Sequence, residues 1–176
     1  MKNLVMFVMG FGSLIIVIVL LISRIYNGVN FSMECTQYLK RAADANTVEL
    51  AKNNLNRAVN YLEYCHLTNG VVSIFLKQPE NDIGFWYSNL RASQDELNKV
   101  TTNTSQLEKA NILMKLRETL TDNTKNGTAI TCPQGISIYP RNKWYFYVLV
   151  IFGIYSIAFL TKIWDELLDF IADRLM

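Results

Sequence analysis

The chain has 176 residues, with 17 Lys or Arg against 15 Asp or Glu, for a net charge of +2. A nucleic-acid binder carries a marked basic excess, so this balance excludes that class, and no Lys/Arg run is interleaved with aromatics. Mean hydropathy is slightly positive at +0.13, and the excess comes from two segments rather than from the chain as a whole.

The first segment is LVMFVMGFGSLIIVIVLLI, residues 4–22, uncharged and bracketed by Lys2 and Arg24. At about 19 residues it is long enough to cross roughly 30 Å of hydrocarbon as a helix. A cleaved signal peptide ends in a small-x-small site. Here SRIYNGVNFS follows, so the segment is expected to stay as an uncleaved anchor.

Residues 23–125 read as a helical domain. Asn30 or Ser32 can cap a helix of about residues 33–67. A second start signal follows inside it, Asn46 with Glu49 three residues on, a variant of the capping box. Beyond it Val48, Ala51, Leu55, Ala58, Leu62 and Cys65 alternate spacings of three and four, which puts one apolar stripe on a helix facing a partner helix. Gly70, after Thr68 and Asn69, is the expected C-terminal stop.

Residues 70–84 form an apolar turn between polar arms. Val72, Phe75, Phe85, Trp86 and Tyr87 are candidate interaction residues there, because exposed aromatic patches often mark contact surfaces. The return helix is expected over about 82–121, with Pro79, Glu80 and Asp82 suited to its start. Its stripe is Trp86, Leu90, Ser93, Leu97, Val100, Thr104, Leu107, Asn111 and Met114. Ser105 and Glu108 make a capping box inside that stretch.

The internal cap signals near residues 46 and 105 lie at similar distances from the turn. Either a long antiparallel hairpin is kinked at that height, with its turn at the end far from the membrane, or both arms fold back into a four-helix bundle. The seam running through Val100, Thr104 and Leu107 favours the hairpin. Residues 126–143 differ in kind: GTAITCPQGISIYP has β-branched residues around Pro-Gln-Gly, and predicts a small β-hairpin or an extended strap.

The second apolar segment is residues 144–161. Trp144, Tyr145 and Tyr147 suit a membrane–water interface. The tail, 162–176, places Trp164, Leu167, Leu168, Ile171 and Leu175 on one helical face and acidic residues away from it. Such a tail either lies amphipathically at the membrane surface, meets a protein through Trp164 and Leu168, or simply continues the preceding helix. Gly10 and Ser13 in the first span and Gly153 and Ser156 in the second are small residues near mid-membrane, candidates for close helix packing.

No catalytic constellation emerges. His66 is the sole histidine and no second Cys/His pair supplies zinc ligands, so it is expected at a helix-end surface and no metal or cofactor is expected. Neither a phosphate-binding Gly loop nor a G-x-S-x-G elbow is present. Glu80 and Asp82 are expected as helix-start acids. The spans lack ionisable side chains, which argues against a carrier built from this chain alone. Cys35, Cys65 and Cys132 allow at most one internal disulfide. The sequons at Asn30, Asn103 and Asn126 carry little weight in a chain rich in Asn and Thr.

The expectation is an all-α membrane protein: two transmembrane helices flanking an antiparallel helical hairpin, alternatively a four-helix bundle. It is read as an integral protein of the inner or plasma membrane, with both termini on one side and the middle domain outside the cytoplasm. The leading functional expectation is a structural or accessory subunit, not an enzyme, that meets membrane lipid and either a protein partner or further copies of itself. A sensor or ligand-binding module signalling through a partner is the alternative; helical input domains between two membrane helices share this topology, and that likeness is topological only. A small pore-forming or lysis protein is a third reading.

Overall fold

Inside each of the two expected arms, helix formation breaks once, where a hydroxyl takes over a backbone amide. Thr47 Oγ1 accepts from Leu50 N at 3.3 Å, and Ser105 Oγ accepts from Glu108 N at 3.2 Å. Both residues have the extended backbone of an N-cap. The first cap falls one residue after the expected Asn46. The computed structural model describes residues 2–124 and 127–175.

The helices are α1 (Lys2–Phe31), α2 (Gln37–Ala43), α3 (Val48–Tyr64), α4 (Ile83–Lys99), α5 (Gln106–Leu120) and α6 (Asn142–Leu175). A π-helical turn, Ser32–Thr36, joins α1 to α2. Strands β1 (Thr121–Thr124) and β2 (Gly127–Ile130) form an antiparallel pair with Thr121 opposite Ile130 and Thr124 opposite Gly127. The chain is therefore mostly helical, with two long apolar helices and one small two-stranded sheet. It divides into two compact units, Asn27–Pro140 and Met1–Tyr26 with Arg141–Met176.

In Asn27–Pro140 the caps become reversals and not kinks. α2 packs on α3 and on α5, α3 packs on α4, and α4 packs on α5, which closes a ring of four. Each neighbouring pair is antiparallel. Tyr38 on α2 meets Arg57 on α3, Asn56 on α3 meets Gln94 on α4, and Glu96 on α4 meets Lys115 on α5. The long hairpin, favoured above, does not form; the bundle does.

The error lies in the seam read through residues 97–114. Trp86, Leu90 and Leu97 are buried, but Leu107 is 74% and Met114 59% exposed. α5 instead buries Leu116 and Leu120, with Ile112 and Leu113 partly covered. The α3 stripe is as read: Ala51, Leu55, Ala58 and Leu62 are fully buried, joined by Val59. Leu39, Leu55, Leu62, Ile83, Leu90, Leu97 and Leu120 are the largest fully buried side chains among the described residues, at about 1.5–3 kcal/mol of burial each.

α3 also ends differently from the reading. It stops at Tyr64, and His66 takes the left-handed conformation (φ 57°) while Leu67 N bonds back to Leu62 O at 2.8 Å. Gly70 is not the helix stop. Its φ of 104° serves the following loop, and the Tyr139 hydroxyl lies against it so closely that a Cβ there would collide. The β structure starts at Thr121, earlier than expected. Pro133–Gly135 is a turn into a short 3-10 helix, Ile136–Ile138, and not the turn of the hairpin. Asn126 lies outside the described residues; Asn103 is exposed between α4 and α5, and Asn30 lies within α1.

The other unit pairs the first part of α1 with α6. Both helices are long and apolar enough to cross a membrane. They run antiparallel: Phe7 meets Phe159 edge-on at 5.6 Å, Ser13 Oγ lies 3.1 Å from Ser156 Oγ, and Ser23 Oγ lies 2.7 Å from the Tyr145 hydroxyl. α6 continues without a break through Leu175, so residues 162–175 extend the helix rather than forming a separate tail helix.

Candidate functional site

The bundle has two ends. At the distal end lie the α2–α3 and α4–α5 turns, where residues 46–52 approach 97–102 and 106–113. At the other, the entry end, Asn27 enters the unit and Pro140 leaves it. Because both arms fold back, the apolar turn 70–84 also sits at the entry end. It is not the far tip of a hairpin.

The turn is built from a short backbone ladder. Val71 bridges Asp82, Val72 N donates to Asn81 O at 3.0 Å, and Ile83 N donates to Gly70 O at 2.9 Å. Asp82 Oδ1 accepts from Phe85 N at 3.1 Å and so caps α4, the helix-start role expected for it. Val72 and Ile83 point into the core.

Trp86 is 7% exposed, and its indole Nε1–H donates to the Thr131 carbonyl at 2.7 Å. That bond ties the first turn of α4 to the strap after β2. A buried indole needs such an acceptor, but nothing in the sequence says which carbonyl will supply it. The Tyr139 hydroxyl against Gly70 makes a second tie between strap and turn.

The five candidate residues of the turn therefore separate. Val72 and Trp86 are structural and inaccessible. Phe75 and Phe85 are 68% and 66% exposed. Tyr87 is half-buried, and its hydroxyl donates to Glu63 Oε1 at 2.6 Å. Burial, and then this bond to a carboxylate, raises the Tyr87 phenol above its ordinary value of 10.0. Arg91 lies 3.5 Å from the same Glu63 oxygen and donates to Gln94 Oε1 at 2.7 Å; Gln94 donates in turn to Asn56 Oδ1 at 2.6 Å. This polar ladder along α3 and α4 had no signal in either helix alone.

Between α4 and the strap lies an open cleft of about 570 Å³. Phe85 and Trp86 form one wall, Thr131 to Gln134 the other, and Glu80 and Asp82 the rim. Cys132 stands in the strap wall, its thiol raised by burial. Cys35 lies in the core and Cys65 packs against it; all three are free thiols. Among the described residues, no three His, Cys, Asp or Glu side chains converge as a metal-binding set. His66 is exposed at the end of α3.

The candidates outside the bundle are placed as follows. Gly10 lies under the Phe159 ring, where a Cβ would collide. Ser13 and Ser156 are buried against each other; each hydroxyl also lies near a carbonyl of its own helix, Gly10 O at 2.7 Å and Phe152 O at 2.8 Å, so one serine donates to its own helix and the other donates across to its partner. Gly153 has open space around it and takes no part in this contact. Trp164 and Leu168 are 61% and 48% exposed on α6. Comparison of the chain with protein-family models, with curated proteins and with solved structures found no match.

Proposed function

We propose that this chain is a membrane-anchored accessory subunit, without catalytic activity of its own, whose helical bundle docks a protein partner. In this reading α1 and α6 cross the inner or plasma membrane, both termini lie on one side, and the bundle stands outside the cytoplasm. The observation that supports it most is Phe85, a large exposed ring at the mouth of an open cleft backed by a hydrogen-bonded tryptophan. A rigid wall beside an exposed aromatic is how interface anchors are built.

A photo-crosslinking amino acid at position 85 of the full chain, activated in intact cells, tests this. The expected product is one defined adduct identified by mass spectrometry, lost in a Phe85→Ala background with a second probe at Asn89. Absence of any adduct from both positions would end the partner reading.

A ligand-binding module that signals through a partner is the second reading. The cleft's size lies in the range of small-molecule sites, and it mixes aromatic with polar lining. A compound that raises the melting temperature of the purified chain, and fails to do so with Phe85→Ala, would favour it.

A further inference from the structure

Exposed apolar side chains are unevenly placed on the bundle unit. At the entry end are Val29, Met33, Tyr64, Phe75, Leu76 and Phe85, from 50% to 84% exposed. The distal end has Leu50 and Leu107, on the first turns of α3 and α5. Among them Phe75 and Leu76, 68% and 72% exposed, are adjacent in the chain. They stand at the tip of the turn, whose shape is held by Ser73 Oγ donating to the Leu76 carbonyl.

Leu76 is followed by exposed Lys77. The chain leaves this end of the bundle at both strands toward the two apolar helices: Val29 belongs to α1, and Pro140 precedes Trp144 of α6 by four residues. An apolar tip with a cation beside it, on the end tethered to two spans, is the composition of an interfacial membrane contact. Glu80 and Asp82, further along the same turn, make the loop's charge mixed. That fits a zwitterionic headgroup layer better than a strongly anionic one.

We propose that the Phe75–Leu76 tip seats in the headgroup region of the bilayer. This rests on the reading that α1 and α6 cross that bilayer. It is separate from partner docking at the cleft, which involves Phe85.

The test uses the full chain carrying Phe75→Trp, reconstituted in phosphatidylcholine vesicles. The difference in emission between variant and wild type isolates the new indole from Trp86, Trp144 and Trp164. The expected result is blue-shifted emission, reduced by about half by lipid brominated high on the acyl chain and unaffected by aqueous iodide, as for a ring about 5–10 Å into the interface. Emission quenched by iodide, or shielded from both quenchers as by a second copy or another protein, would overturn the proposal. Carbonate extraction of the same vesicles separates the two readings. Release of the chain would overturn the membrane reading and this inference with it. Retention with iodide-quenched emission would overturn this inference alone.

Discussion

The two units bury opposite kinds of residue. In the bundle, leucines, Val59 and Ile83 face inward, and polar links such as Glu63–Arg91 and Glu96–Lys115 lie partly exposed at the surface. In the α1–α6 pair the inside holds Gly10, Ser13, Ser156 and Leu20, while Val8, Met9, Phe11, Ile18, Val19, Ile22, Ile154 and Ile157 are exposed. The first pattern stabilises a core in water, where removing apolar area is the driving force. The second gives little in water. It suits hydrocarbon, where apolar burial is worth nothing and close backbone approach with hydroxyl bonds holds helices together. One chain thus carries two solutions to packing, each legible from what lies inside.

Substitutions that should hurt one unit and spare the other sharpen this contrast. Leu55→Ala is expected to have the largest effect, about 2–5 kcal/mol lost from the bundle. A urea titration followed by circular dichroism would show an early transition for residues 27–140 with α1 and α6 still helical. A change of under about 0.5 kcal/mol, the range of ordinary surface substitutions, would contradict the buried placement of Leu55.

Gly10→Leu comes next, at about 1–3 kcal/mol, the range for forcing extra volume into a packed contact. The Phe159 ring occupies the space the new side chain needs. An oxidative crosslink between Ser13→Cys and Ser156→Cys should form readily in membranes, and should weaken when Gly10→Leu is added. Undiminished crosslinking would show that the two helices do not meet there.

Ser13→Ala should cost only about 0.6 kcal/mol, the average for such hydroxyl bonds between membrane helices. It would be seen as a small drop in thermal stability in detergent, absent when Ser156 is also Ala. Loss of more than a few degrees would mean that Ser13 does something beyond this bond.

Tyr87→Phe should be the mildest change at neutral pH. Its interest lies in alkaline solution. The phenol is raised above 10.0 in the folded state, so its contribution is fully present below the unfolded value and is lost as pH rises through the folded one. The bundle of the wild type should therefore weaken above about pH 10, and Tyr87→Phe should flatten that decline. Parallel alkaline profiles for the two proteins would rule out the Tyr87–Glu63 coupling.

Much of this was legible before the fold. The α3 stripe, the Ser105 cap, the Asp82 helix start and the two apolar helices rest on local periodicity and local hydrogen bonds, which a sequence records directly. The reversal at Thr47 and Ser105 is not local. A cap states that a helix begins, and gives no sign of the angle at which the previous one ended. That angle is set by α2 meeting α5, residues about seventy apart. The stripe through Leu97 and Leu107 kept its register across the break by chance of spacing, and so pointed to a straight arm. The partition of the turn depends on distance in the same way. Trp86 is structural and Phe85 is accessible because the Thr131 carbonyl is where it is. Gly153, small like Gly10, has open space around it; size alone does not give the rotation of a helix about its axis.

The fold-back has a mechanical consequence. The chain enters and leaves the bundle at the same end, so tension applied between α1 and α6 would pull the two strands apart there. Such a load peels a bundle open one contact at a time, starting from the strap, and does not shear all its contacts at once. On the strap side, the contacts met in order from the exit are Tyr139 with Gly70, then buried Ile136, then Trp86 with Thr131. The strap is thus a latch: on its side, separating the two helices would draw the Thr131–Gln134 wall of the cleft away from α4.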